Sequence, residues 1–326
     1  MNRLYPMKFH PLLKKKLWGG EKLQKTLNIN AEKDARFGEA WLLSGMEGNE
    51  TIVSNGWLAD NNLTELTEIF MGDLIGDKVY DTHKNHFPLL FKLIDAHENL
   101  SVQVHPDDAL AQERKLKNGK TELWYIMQAE KKAELIVGFN KTINKESFEK
   151  LLIQNRLETV LNHEKVVPGD VFLMPAGRIH SIGKNILLAE IQQSSDTTYR
   201  IYDWNRTDDK GNFRPLHVAE SLDAIDFQPQ KDYKTHYSIE ENKISQLVQT
   251  PYFTTNILTT KTPLRKNFSE LDSFVVYLCV EGAFSVSYNG EITTIQAGEV
   301  LLIPNAITEL LIVPLPVVKV LEVFIF

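Results

Sequence analysis

Ser101, Gln103 and His105 alternate with Leu100, Val102 and Val104 in the segment LSVQVHPDD. Residues two apart in a strand project to the same side. A hydroxyl, an amide and an imidazole therefore share one face, opposite three aliphatic side chains. In NGKTELWYIM, Lys120 and Glu122 project together in the same way, with Trp124 further along. His180 closes VFLMPAGRIH after two turn signals, and LLAEIQQSSDTTYRIYDWNR places Glu190, Gln192 and Ser194 on one face before Arg200. Taken singly, each has a plain alternative: a solvated strand face, a surface Lys–Glu pair, a hydrogen-bonded histidine, an arginine paired with Asp196 or Asp203. Taken together they are an inventory for a metal centre or for acid–base chemistry. Cys279 is the single cysteine of the chain. A Cys-rich zinc knuckle is thereby excluded, and any metal must use His, carboxylate and amide ligands. The same count excludes an internal disulfide and fits a reducing compartment.

The elements that must position these groups are mainly strands. FPLLFKLI, TELWYIM, AELIVGF, DVFLMP, ILLAEIQQ, TYRIYDW, SFVVYLCV, AFSVSYNG, EVLLIP and VVKVLEVFIF are short, rich in β-branched and aromatic residues, and bounded by turn residues. Helical spacing is confined to Asn62–Met71, Pro106–Leu116, Asn144–Leu157 and Pro215–Leu222. The second of these opens with Pro and two acids, as a helix start should. Strands do not alternate with helices, so a parallel α/β sheet is disfavoured and a sandwich or barrel expected. One segment recurs: VPGDVFLMPAGRIH (Val167–His180) matches QAGEVLLIPNAITE (Gln296–Glu309) at a constant offset of 129 residues. Each copy has a Gly turn, an apolar strand and a Pro turn. The repeat predicts two related β-barrels, one over residues 1–235 and one over 236–326. Glu309 stands in the second where His180 stands in the first, so the second lacks that ligand and is expected to be structural.

Composition bounds the partners. Against 36 Lys and Arg stand 43 Asp and Glu, a formal net charge of −7 over 326 residues. A protein whose main work is neutralising nucleic-acid phosphates is excluded, whereas a small anionic substrate needs only a few local cations. The longest apolar stretches, Leu310–Val318 and the region Phe87–Ile94 that Lys92 interrupts, fall far short of the ~20 residues of a membrane span. No stretch near the start has the form of a signal peptide. A soluble cytoplasmic protein, monomer or homodimer, is expected, with neither nucleic acid nor membrane as partner.

The spacing of Gly169, Pro175, Gly177 and His180 resembles the second metal motif of the cupin superfamily. Gln103, His105 and Glu122 stand where its first motif has two histidines and a glutamate, with one His replaced by Gln and a longer gap before Glu. Trp18, Gly19 and Gly20, GEAWLLSG, FPLLFKLIDAHENLSVQVHPDD, GKTELWYI, MPAGRIHSIG and SSDTTYRIYDWNR extend the likeness. On these segments the chain resembles the type I mannose-6-phosphate isomerases in their short bacterial form. The resemblance implies a mainly β fold of two cupin-type jelly-roll barrels with a few short helices. It implies one zinc ion per chain, held by Gln103, His105, Glu122 and His180, and a sugar phosphate as substrate. The implied reaction interconverts mannose 6-phosphate and fructose 6-phosphate through an enediol. Arg200 matches the family's active-site arginine, Glu190 is the candidate base, and Lys120 stands beside the ligand glutamate. Lys92 and Ser101 match positions that hold the phosphate. Two other readings stay open on the residues alone. Two His and a carboxylate also suit Fe²⁺ in an oxygenase, and a sugar-binding cupin without catalysis would use the same scaffold. The remaining histidines are expected to be surface or structural, Cys279 a small buried hydrophobe, and the LKKKL run Leu13–Leu17 a solvated edge.

Overall fold

In a computed structural model, which describes residues 3–29, 35–207 and 210–326, the strand-like runs pair into three large antiparallel sheets. The first has six strands in the order Val171–Met174, Glu122–Ala129, Ile186–Gln193, Leu89–Ala96, Glu39–Leu43 and Leu12–Lys14. The second has five, in the order Leu161–Lys165, Glu134–Phe139, His180–Ile182, Val102–Val104 and Tyr199–Tyr202. The third takes its seven strands from Ile244–Phe324. The fold is mainly β, as the sequence pattern predicts.

Alternation along the strands decides how these sheets stack. In the six-stranded sheet Ile94, Ala96, Trp124, Ile126, Ile186 and Leu188 face inward and pack with Leu135, Val137 and Ile182 of the five-stranded sheet. Their neighbours Leu89, Phe91, Leu93, Leu123, Tyr125, Leu187, Ala189 and Ile191 face the other way. They join Val276, Leu278, Leu302, Leu321 and Val323 of the C-terminal sheet in one shared apolar layer. An antiparallel sheet usually keeps one face in water. Here the strands Leu89–Ala96 and Ile186–Gln193 are buried at every residue, which holds their backbones rigid beneath the site. The C-terminal sheet folds over on itself around a further cluster containing Val275, Tyr277, Phe284, Ile295, Ile312 and Val320.

Where the structure departs from the sequence reading, the causes are local. SFVVYLCV and AFSVSYNG are one strand, Val275–Tyr288, because the break at Glu281–Gly282 is a bulge rather than a turn, with Gly282 at φ +76°. Likewise Glu309–Phe324 runs as a single strand through the apolar stretch Leu310–Val318. The helix expected over Asn62–Met71 forms from Leu63, with Asn62 and Glu65 making a reciprocal capping box, and breaks at Met71, where φ is +45°, before the chain turns helical again to Ile75. Two others shorten to Asp108–Glu113 and Lys145–Ile153, and the fourth shifts to Val218–Ala224. Helices Lys22–Thr26 and Asp77–His83 are too short to show a period in sequence. The repeated segment follows the same course twice. Gly169 and Gly298 turn at φ +95° and +92°, the strands Val171–Met174 and Val300–Ile303 follow, and His180 and Glu309 each begin the next strand.

Phe91 is fully buried in the shared apolar layer. Phe91→Ala should lower stability by about 3–5 kcal/mol, read as a lower urea midpoint; an unchanged midpoint would show that this layer does not support the six-stranded sheet.

Candidate active site

The register of the two facing sheets sets the candidate residues in rows. Across the five-stranded sheet His180 lies opposite Gln103, and Gln103 opposite Arg200. Across the six-stranded sheet Trp124, Glu190, Lys92 and Trp41 are successive cross-strand partners, and Glu122 is opposite Gln192. A one-residue slip of either central strand would turn its polar side chains into the apolar layer behind. The buried alternation of the strands therefore fixes the site.

At the centre His105, Glu122 and His180 offer ligand atoms that all lie within 4.8 Å of one another. His105 Nδ1 lies 2.9 Å from the Thr197 carbonyl and His180 Nδ1 2.8 Å from the Arg178 carbonyl. A carbonyl only accepts, so both Nδ1 atoms carry hydrogen and donate it, and both Nε2 atoms are bare. These Nε2 atoms face Glu122, His105 at 3.5 Å from Oε2 and His180 at 3.4 Å from Oε1. Burial, followed by the charge of Lys120, pushes the His105 imidazole down to about 3, and burial lowers that of His180 as well. Both rings are neutral near pH 7. Burial alone would raise the Glu122 carboxyl, but Lys120, with the two imidazoles, holds it well below the usual carboxylate range. Lys120 Nζ lies 2.9 Å from Glu122 Oε2. Burial works against its ammonium, yet Glu122, Glu190 and Glu39 outweigh that and raise it. Among the described residues His105 Nε2 and Glu122 Oε1 nonetheless have no hydrogen-bond donor, and Oε2 has only the Lys120 ammonium beside it. Acceptors converging without a proton between them fit a bound cation, and nitrogen, carboxylate and amide donors suit a borderline divalent metal. Gln103 adds its amide, with Nε2 3.3 Å from His180 Nε2 and Oε1 accepting from Ser101 Oγ at 3.3 Å. Turning that amide over would offer its oxygen to the same point.

Over this cluster opens a cavity of ≈ 270 Å³. Gln103 and Lys120 line it, joined by Lys92, Ser101, Glu190 and Arg200; His105, Glu122 and His180 are not in its wall but lie buried behind it, reached through Gln103 and Lys120. Glu190 is held at both oxygens: Oε1 accepts from Lys92 Nζ at 3.0 Å and Oε2 from Trp124 Nε1 at 3.0 Å. Lys92 also donates to Gln192 Oε1 at 2.7 Å and lies 5.2 Å from the centre of the Trp41 ring. Two of its three protons are thus engaged and one is left for the cavity. Arg200 Nη1 donates to the Pro215 carbonyl at 2.9 Å, while its buried Nε has no partner. Burial and the neighbouring Arg214 lower its pKa. Asp203, one of its two candidate partners by sequence, is instead taken by Arg206 and Arg214. Among the described residues Arg200 has no carboxylate within ion-pair distance, and its charge is available to a ligand.

Sequence reasoning missed part of the wall. Lys16, Glu39, Trp41 and Arg214 line the cavity too. Lys16, from the run expected to be a solvated edge, pairs with Glu39 at 3.1 Å, and Trp41 Nε1 donates to Glu39 Oε2 at 2.8 Å. The alternation Glu39, Ala40, Trp41 was the available signal, but only the pairing of Glu39–Leu43 beside Leu89–Ala96 turns that face inward.

The family model for the catalytic domain of type I phosphomannose isomerase matches residues 7–148, a span that includes Lys92, Gln103, His105, Lys120 and Glu122. A mannose-6-phosphate isomerase of Bacillus subtilis is 38% identical over 255 residues, covering 76% of this chain and 77% of the relative. One of Streptococcus mutans is 33% identical over 303 residues, covering 93% of each. The crystal structure of a Bacillus subtilis mannose 6-phosphate isomerase shares the fold with a TM-score of 0.87 at 29% identity, covering 99% of this chain and 100% of that one.

His180→Ala removes one of the converging ligand atoms and should abolish stoichiometric metal binding, measured by elemental analysis after dialysis. A variant that still holds one metal per chain would place the metal elsewhere.

Proposed function

The chain belongs to the type I phosphomannose isomerase family, and from that premise we propose how its cavity interconverts mannose 6-phosphate and fructose 6-phosphate. The observation that carries the reading is a buried group of His105, Glu122 and His180, its facing lone pairs with no proton between them, behind a cavity walled by Lys16, Lys92, Lys120, Arg200 and Arg214 against Glu39, Glu190 and Asp196. Such a wall favours a doubly charged phosphate ester. Neither an oxygenase nor a non-catalytic binding protein is favoured by the family.

Gln103, His105, Glu122 and His180 would hold zinc. Bound there, the ion supplies Lewis-acid polarisation of a sugar oxygen. The rest of the chemistry falls to the side chains. The substrate phosphate is met by the free proton of Lys92 and the hydroxyl of Ser101. Arg200, whose guanidinium has no carboxylate partner among the described residues, faces the negative oxygen that develops as the C2 proton leaves and an enediol forms. Glu190 is the base that takes the proton from C2 and returns it at C1. Its hydrogen bonds from Trp124 and Lys92 fix its position while each oxygen keeps a free lone pair. Lys120, between the cavity and Glu122, supports proton movement among the sugar oxygens. The buried walls exclude water that would compete for the enediol. Its single buried thiol, Cys279, fits the cytoplasm, where sugar phosphates are made and used.

The purified protein with zinc should form mannose 6-phosphate from fructose 6-phosphate in a coupled assay, and dialysis against EDTA should remove that activity until zinc is restored. Absence of turnover in the metal-loaded protein would overturn the isomerase reading. Arg200→Ala should lower kcat about 10²–10³-fold and Lys92→Ala should mainly raise KM. A defect of Arg200→Ala confined to KM would make that residue a binding group only.

A further inference from the structure

The repeated segment allows the two halves of the chain to be aligned strand by strand. Val171–Met174 pairs with the strand carrying Glu122 and Trp124, and Val300–Ile303 pairs in the same sense with Val275–Tyr288. Carrying the register across, Tyr277 occupies the place of Trp124, and Val275 that of Glu122. On the next strand Glu322 is opposite Tyr277, as Glu190 is opposite Trp124. Beyond it Asn256 is opposite Glu322, as Lys92 is opposite Glu190. Asn267 is likewise opposite Glu309, as Gln103 is opposite His180.

The metal ligands are therefore gone from the C-terminal sheet. Valine replaces the central glutamate, and Glu309 turns outward to an exposed ion pair with Arg265. The carboxylate row is not gone. Glu322, like Glu190, is 3% exposed. Its Oε2 accepts from Tyr277 at 2.7 Å and its Oε1 from Asn256 Nδ2 at 3.2 Å. Lys266 Nζ lies 2.6 Å from Oε2. Replacing a buried ion pair by well-packed apolar side chains is often neutral or stabilising, so stability is a weak reason for this row.

Asn256, Glu322 and Lys266, with Tyr277 holding Glu322 from behind, line a cavity of ≈ 340 Å³ whose walls include Phe268 and Phe324, within the range of about 300–1,000 Å³ typical of small-molecule sites. Its charge is the reverse of the first cavity's. The basic wall residue is Lys266, already paired with Glu322, and Glu270 adds a second acid. A phosphate would meet no unpaired cation there. The amides of Asn256 and Asn267, the remaining protons of Lys266 and the carboxylate of Glu322 instead offer mixed donors and acceptors. Hydroxyl groups, which both donate and accept, match that mixture, and aromatic walls suit the apolar faces of a sugar ring. We propose that the C-terminal cavity is a second binding site, for an uncharged polyhydroxylated ligand of hexose size.

The test is equilibrium dialysis of the zinc-loaded protein with labelled D-mannose, in the presence of excess mannose 6-phosphate to fill the first cavity. About one equivalent of mannose per chain should remain bound. Asn256→Leu and Lys266→Met should each weaken that binding at least about tenfold while leaving the isomerase rate within about twofold of the parent. No bound mannose, displacement of mannose by mannose 6-phosphate, or undiminished binding in both variants would overturn the proposal. Because isomerase turnover is measured separately, a protein that binds mannose here but does not isomerise would overturn the catalytic reading and leave this one standing.

Discussion

Four acceptors meeting with no proton among them are the constraint on which the molecule is organised. The bare Nε2 atoms of His105 and His180 face the two oxygens of Glu122, all buried, because both Nδ1 protons are committed to backbone carbonyls. Lone pairs crowded together in a medium of low polarity repel. Lys120 offsets the carboxylate charge from one side only. A cation at the point of convergence resolves the repulsion, and for that the ligands must not be free to swing apart. The carbonyls of Thr197 and Arg178 hold the rings, and the paired strands hold the backbones that carry them.

That demand explains why a sheet that could have kept one wet face has none. The six-stranded sheet carries Glu122, Glu190 and Lys92 on one face and Leu123, Phe91 and Ile191 on the other. Apolar packing against the C-terminal sheet immobilises it from behind, so polar side chains in front can be held within hydrogen-bond tolerance. The Lys92–Glu190 pair is desolvated, and such pairs gain little net stability. What it contributes is position: one carboxylate oxygen on an ammonium, the other on an indole, and the pair itself against the Trp41 ring.

The same strand-and-turn unit is used twice with opposite electrostatics. In both copies a buried carboxylate lies between a ring donor and an amide or ammonium donor on flanking strands. The first copy adds a His–Glu–His group that could hold a metal and, among the described residues, an arginine with no carboxylate partner; the second adds apolar residues and a neutralised lysine. Scaffold geometry is thus separable from chemistry: register decides where a side chain points, and residue type decides what it can bind.

The sequence by itself determined the class of fold and the chemical inventory. Alternation of apolar and polar residues marked the strands, Gly and Pro marked the turns of the repeat, and the resemblance to a known family pointed to Gln103, His105, Glu122 and His180 as a candidate ligand set. The strand and turn signals are local, carried by residues close together in the chain. Tertiary structure decided what depends on contacts between distant strands. It merged the two halves of Val275–Tyr288 across a bulge that looked like a turn. It gave Asp203 to Arg206 and Arg214, leaving Arg200 with no carboxylate within ion-pair distance among the described residues. It drew Lys16, from a run that looked like a solvated edge, to the cavity wall with Glu39 and Trp41. Whether a charged side chain is solvated, paired or poised depends on which groups the sheets bring opposite it, and neighbours in sequence do not carry that information.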